Sequence, residues 1–262
     1  MVKSGVLHYP KILAKRYGVF AVKYVNSYIS LVKTRLIDNL DNLNTNNVLN
    51  DELQNTVEQI KFEVIRDPFL LNSVIFYGKL VMDFTKGQLL NSLSAKYDRD
   101  LLSNMLDDRS GDMLKSWAST NARLIKTIPT NLLDEVANII ESGYRSGESL
   151  KSIKDKIKKR FDITEVRAMF IASNEISNLH SDRIKSESLR LGISNYGWST
   201  TKDDKTRRSH RVLDNKTCSW KDNTIYKNKP LDKKWLKRSS INATTYQVGK
   251  DFNCRCVPYL IF

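Results

Sequence analysis

The helical pattern that fills most of this chain stops at Gly192, and the residues after it follow other rules. Before that point apolar residues recur at three- and four-residue spacing. Beyond it come short aromatic and β-branched runs separated by polar segments. All three cysteines (Cys218, Cys254 and Cys256) and one of the three histidines, His210, fall within residues 193–262. So small a segment has little core of its own and gains from a metal or a cross-link. The expected fold is mainly α with a small C-terminal α+β module. An elongated helical arm occupies 1–125, further helices 126–192, and a basic, β-rich Cys/His unit 193–262.

Along the arm, Tyr17, Phe20, Val25, Ile29, Val32 and Leu36 recur at helical spacing, predicting a long helix over 9–43. The Asn- and Thr-rich run 42–50 reads as a loop. Asn50 suits the cap of a second helix, with Asp51 and Glu52 at its positive end. Asp67-Pro68 should break the chain, since proline belongs in the first turn of a new helix. Residues 69–97 carry bulky apolar groups on several sides, as in a buried bundle helix. Pro129 should open a helix running through Leu132, Leu133, Val136 and Ile140. A short basic helix is expected over 149–161, followed by one capped by Thr164 and ending at Gly192.

On that last helix Val166, Met169, Phe170, Ile176 and Ile184 share an arc, the expected core stripe. Glu175 faces another way, among Ala168, Ile171, Ala172 and Leu179. A carboxylate in an apolar strip needs a partner, and an arginine from the C-terminal unit is the natural one.

No run approaches the roughly 20 apolar residues that a membrane span requires. Lys11, Lys15 and Arg16 interrupt any signal-peptide core. The chain is expected to be soluble and made in a cytoplasm, where structural disulfides are disfavoured and three cysteines cannot pair completely. The net charge is +14, of which residues 193–262 carry +9, with 15 Lys and Arg against 6 Asp. Such a field favours a polyanion, nucleic acid first, bound without base readout, and an acidic protein surface second; a merely solvated basic surface is the alternative. Lys227, Lys229, Lys233, Lys234, Lys237 and Arg238 are the residues expected to face it. Trp198 and Trp220 could stack on bases, but in a small domain tryptophans belong to the core.

His210, Cys218, Cys254 and Cys256 could close a tetrahedral structural zinc site. The spacing is not that of a standard finger, and the Cys-x-Cys pair must splay unless the backbone turns there. Reduced cysteines with a hydrogen-bonded His210 are the alternative, and a disulfide is the lesser case. Asp203, Asp204, Thr206 and Arg207 form a charged turn whose aspartates can satisfy amides while Arg207 pairs inward with Glu175. A catalytic reading would instead join Glu175, Asp204 and His210 as a metal-dependent nuclease. No Gly-rich phosphate loop and no Ser-His-Asp signature is present.

In order, the run Arg167 to Glu175, Trp198-Ser-Thr, Asp204-Lys-Thr-Arg207, His210, Leu213-Asp214 and Asn253-Cys-Arg-Cys256 resembles the Mu F-like head-morphogenesis family of tailed bacteriophages. The resemblance covers about residues 110 to 262. Two positions depart from the family pattern beyond the helix. Leu213-Asp214-Asn215 stands for Leu-Asp-Gly, and Asp251-Phe252 stands where a His-Pro pair usually precedes Asn-Cys-Arg-Cys. Ser173-Asn174 also replaces an Arg-Thr pair before the glutamate. Asparagine tolerates the left-handed backbone of a glycine turn. Loss of the histidine removes one candidate ligand.

The resemblance implies a structural minor head protein, made in the bacterial host cytoplasm and resident inside the phage head. Its implied partners are the portal protein, the major capsid or scaffolding protein, and packaged double-stranded DNA held non-specifically. A DNA-binding ejection protein released with the genome is the alternative. Some relatives carry toxin domains; none is expected here.

Overall fold

The computed structural model describes residues 3–38, 40, 48–107 and 110–262. Within them lie seven α-helices and one six-stranded sheet. The elements run β1 (Lys3–Val6), α1 (Lys11–Val32), α2 (Val48–Arg66), α3 (Phe69–Leu93), α4 (Arg99–Asp107), α5 (Ser110–Arg145), α6 (Leu150–Arg190), β2 (Asn195–Ser199), α7 (Arg208–Arg211), β3 (Thr217–Ser219), β4 (Ile225–Lys227), β5 (Leu236–Lys237) and β6 (Val257–Ile261). No described helix is long and apolar enough to cross a membrane. The mainly α class with a small C-terminal sheet is therefore observed.

The chain folds into two compact units, each assembled from separated segments: 1–14, 76–117 and 174–262 in one, 15–75 and 118–173 in the other. The expected boundary at 125/126 falls inside α5.

The second unit is all-helical. Its core is the periodic stripe that the sequence displays, with Tyr17, Val25, Ile29, Val32 and Leu36 buried along α1 and the π-helical turn Lys33–Ile37 that extends it. Phe20 is only half buried. Leu53, Val57, Ile60 and Val64 of α2 and Ile125, Leu132, Leu133, Val136 and Ile140 of α5 are also buried. Helix α2 begins at Val48, so Asn50 lies inside it rather than at its cap; residues 42–47 lie outside the described chain. The break at Asp67-Pro68 is present, and the Asp67 carboxylate accepts the Phe69 and Leu70 amides at 2.8 and 3.3 Å, an N-cap.

Three expectations about helices need correction. Pro129 does not open a helix but sits inside the 36-residue α5. The Thr127 and Thr130 hydroxyls bind carbonyls of that turn, Leu124 at 2.7 Å and Lys126 at 3.1 Å. Ile125, Ile128, Leu132 and Leu133 bury on either side, offsetting the roughly 3 kcal/mol of an internal proline. Thr164 does not cap a new helix, because α6 is continuous over 41 residues. Its hydroxyl bonds back to the Arg160 carbonyl at 2.7 Å, a back-bond that α-helices tolerate. The core stripe of α6 is also displaced: Val166 is 71 % exposed and Phe170 is exposed too, while Ala168, Ala172, Ile176, Leu179 and Ile184 are buried. Small residues there admit close approach of neighbours. Similarly, α3 buries one stripe (Leu70, Val74, Val81, Leu89) and leaves Phe69 and Phe76 in solvent.

The first unit holds the sheet, in strand order β1-β6-β2-β3-β4-β5 with every neighbouring pair antiparallel. Strands β2 and β6 lie where the sequence predicts them. Strand β1 was not legible. Lys3–Val6 is short and polar, and it is recruited to the free edge of β6. There the Leu7 amide donates to the Pro258 carbonyl at 3.1 Å and the Leu260 amide to the Ser4 hydroxyl at 2.8 Å. Gly197 of β2 pairs with Tyr259 of β6. A Cβ there would stand 1.8 Å from the Tyr259 ring, so only glycine lets that ring cross the strand. Trp198, Trp220, Tyr196, Leu213 and Leu260 form the core of this unit with Leu89, Leu102, Leu106 and Ile184. Tyr196 stacks on Trp220 with 4.0 Å between ring centroids. The two tryptophans are therefore core residues.

Candidate metal centre

The polar motif residues of the sheet unit bind one another. As β2 ends, the Thr200 amide and hydroxyl donate to the Asp214 carboxylate at 2.9 and 3.0 Å. Asn215, at φ +60°, takes the left-handed turn expected of it, and its amide returns to the Trp198 carbonyl at 2.8 Å. The Trp-Ser-Thr and Leu-Asp-Asn runs thus form one closed corner. In the next turn the Thr206 hydroxyl donates to Asp203 Oδ1 at 3.0 Å, and Arg255 pairs with Asp203 Oδ2 at 2.7 Å. Asp204, expected in that structural role, is exposed, and its backbone carbonyl accepts from Arg211 at 3.2 Å.

That turn leads into α7, which buries His210. Facing it is the segment 251–256. Asn253 adopts φ +51° immediately before Cys254, and the Cys254 amide closes the turn on the Asp251 carbonyl at 3.0 Å. The backbone bend lets both thiols of the Cys-x-Cys pair face one way. Cys254 Sγ and Cys256 Sγ each lie 3.5 Å from His210 Nδ1. On the other side of the ring, Nε2 meets Asp251 Oδ2 at 2.8 Å. His210, Cys254 and Cys256 are all buried, and their ligand atoms lie within 4.8 Å of one another.

Burial pulls the His210 pKa down, but the Cys254 sulfur and then the Asp251 carboxylate outweigh it, leaving it raised. The Cys254 thiol is lowered to about 5, first by a hydrogen bond from Cys256 and, against burial, by His210. Cys256 moves upward, because its bond to Cys254 and its own burial both oppose a second charge.

Cys218 does not join them. It sits on β3 beside Arg238 and Tyr196, and burial raises its thiol pKa despite both neighbours. The four-ligand set expected from the sequence is thus reduced to three.

Arg207 does not reach Glu175. Its guanidinium donates to Asp251 Oδ2 at 3.0 Å and to the Phe252 carbonyl at 2.5 Å. Glu175 Oε1 accepts from Asn178 of its own helix at 2.9 Å. The residue standing where the family has histidine therefore orders both His210 and Arg207. His210 is gathered with the two cysteines, not with Glu175 and Asp204.

What α6 contributes is a polar ladder that sequence reasoning missed. The Ser177 hydroxyl lies 2.8 Å from the Gly249 carbonyl and 3.2 Å from that of Cys254, and Ser181 donates to Val248 at 2.5 Å. Asn174 Oδ1 accepts the Asn253 amide at 3.3 Å, and Lys250 pairs with Asp182 at 2.8 Å. The spacing of 174, 177 and 181 was the available signal, since it puts three polar side chains on one helical strip.

Arg238 is corrected most sharply. Expected to face nucleic acid, it is fully buried, and its guanidinium donates to the carbonyls of Ile225, Thr244 and Tyr246 at 3.2, 3.1 and 2.8 Å. It also lies 5.5 Å from the Trp198 ring. Lys229, Lys233, Lys234 and Lys237 are exposed, while Lys227 is half buried with its ammonium 4.6 Å from the Trp235 ring.

Residues 134–259 match the family described as Phage Mu protein F like protein. An uncharacterized protein of Haemophilus influenzae is 34 % identical over 146 residues, which is 56 % of this chain and 29 % of that protein. The chain thus matches less than a third of that relative's length. No solved structure matches.

Proposed function

We propose that the chain is a structural minor head protein of a tailed phage, associated with the portal or inner shell during head assembly, with its basic sheet unit beside packaged DNA. The family match over residues 134–259 carries this reading. The chemistry of the unit supports it. Asp203, Asp251, Arg207 and Arg238 are spent on internal ion pairs and carbonyls and Asp214 on the Thr200 amide, where an enzyme would aim such groups at a substrate. The partners are the portal protein or the major capsid or scaffolding protein, and double-stranded DNA contacted through phosphates.

Quantitative mass spectrometry of DNA-free procapsids, full virions and emptied particles tests the proposal. A few copies per portal in procapsids is the expected result. Absence from every particle would overturn it.

The exposed Lys229, Lys233, Lys234 and Lys237 favour a second reading, a DNA-binding ejection protein. That reading predicts loss of the protein on emptying and DNA affinity that falls steeply with salt.

A further inference from the structure

We propose that His210, Cys254 and Cys256 bind one zinc ion through three protein donors, with the fourth position open to the cleft beside them. The inference rests on side-chain geometry and is independent of the head-protein reading.

The nitrogen–sulfur separations are those of a tetrahedral site. Zinc–nitrogen bonds of about 2.0–2.1 Å and zinc–sulfur bonds of about 2.3 Å at a tetrahedral angle put the nitrogen about 3.5 Å from each sulfur. Both sulfurs stand 3.5 Å from His210 Nδ1. Neither cysteine is in a disulfide.

The second side of the imidazole is equally specific. Asp251 Oδ2 accepts from Nε2–H, which leaves Nδ1, the nitrogen facing the sulfurs, as the one that would bind a metal. A carboxylate behind a ligating histidine fixes its tautomer and strengthens it as a donor. Asp251 is itself held by Arg207 at 3.0 Å. The left-handed Asn253 and the Ser177 bond to the Cys254 carbonyl hold the Cys-x-Cys backbone in place. Two thiolates and one imidazole suit zinc over the hard cations, which prefer oxygen.

The fourth position distinguishes this site from a closed structural one. Cys218 is committed to the sheet beside Arg238 and Tyr196. Among the described residues no further His, Cys, Asp or Glu completes the cluster. The three donors instead border a cleft of about 440 Å³, lined also by Tyr9, Lys205, Arg207 and Arg255. A fourth donor arriving there is water or an anionic oxygen drawn in by those cations, which leaves the coordination open.

Elemental analysis of the purified full chain, with circular dichroism as the control for folding, is the first test. About one zinc per chain is expected. Cys218→Ser should keep it, Cys254→Ser and His210→Ala should lose it, and His210→Cys, which restores a donor, should regain it. In the cobalt-substituted protein, added imidazole should shift the visible spectrum by entering the open position. A folded wild-type protein from zinc-supplemented medium that binds neither zinc nor cobalt overturns the site. Loss of metal in Cys218→Ser, with a spectrum indifferent to imidazole, overturns the open geometry.

Discussion

The two units are held together by different chemistry. In the helical unit the described interior is almost wholly apolar, and Asn121 and Thr164 are its only buried polar residues. Every other buried polar or charged residue falls in the sheet unit, among them His180, Arg183, His210 and Arg238. An apolar stripe is non-directional and tolerates shape-conserving exchange. A buried hydrogen-bond network is directional, and each group left unpaired costs about 1–3 kcal/mol, more if charged. The sheet unit should therefore be the more brittle, and its sensitive positions should be polar ones.

The largest test of that contrast is Arg238→Ala. It strands three carbonyls and empties the core beneath Trp198, so a loss of about 3–5 kcal/mol in urea denaturation is expected. Lys233→Ala, a few residues away and exposed, should change stability by less than about 0.5 kcal/mol. Equal effects would mean that Arg238 is not part of the interior.

Acid should act through His180. It is buried with its pKa lowered to about 3 by burial, and its Nδ1 lies 2.9 Å from the Thr85 hydroxyl. That hydroxyl already donates to the Val81 carbonyl at 2.7 Å, so Nδ1 is the donor. Below the unfolded-state pKa of about 6.5 the unfolded chain takes up a proton that the folded chain refuses. Stability is then complete above pH 6.5 and drains away toward pH 3, by roughly 3–5 kcal/mol in all. The slope over that window should be visibly flatter in His180→Gln; parallel curves would clear His180 of the effect.

Removing one rung of the α6 ladder should do less. Ser177→Ala frees the Gly249 and Cys254 carbonyls and is expected to cost about 1–2 kcal/mol, as a lowered urea midpoint with unchanged slope. The smallest effect belongs to the helical unit. Arg35→Ala removes an exposed ion pair with Glu63, and its expected cost is under about 1 kcal/mol, vanishing in high salt. A loss above that would show that the helical unit, too, depends on specific polar contacts.

The same contrast explains what could be read from the sequence. Stripes such as Val25, Ile29, Val32 and Leu36 announce themselves, because burial and helical period leave a joint pattern in one segment. The positive-φ asparagine at 215 and the break at Asp67-Pro68 were legible for a similar reason, being local backbone chemistry. Gathering His210, Cys254 and Cys256 was legible as composition, but excluding Cys218 was not. Which cysteine joins depends on a turn at Asn253 and on which face of β3 a residue occupies. Arg238 misled because a guanidinium among lysines looks like surface; only the carbonyls of 225, 244 and 246 reveal otherwise. Val166 and Phe170 misled on α6 because the interior there favours alanines and serines over bulk.

The pairing of β1 with β6 has a consequence in time. Ser4 and Leu260, joined by a hydrogen bond, are 256 positions apart. A ribosome adding about 5–20 residues per second separates their emergence by roughly 10–50 s. Throughout that interval Lys3–Val6 has no strand to join, because β6, which links it to β2 and the rest of the sheet, does not yet exist. Helices complete themselves as they emerge, whereas this sheet is completed last, when β6 adds to β2 and β1 to β6.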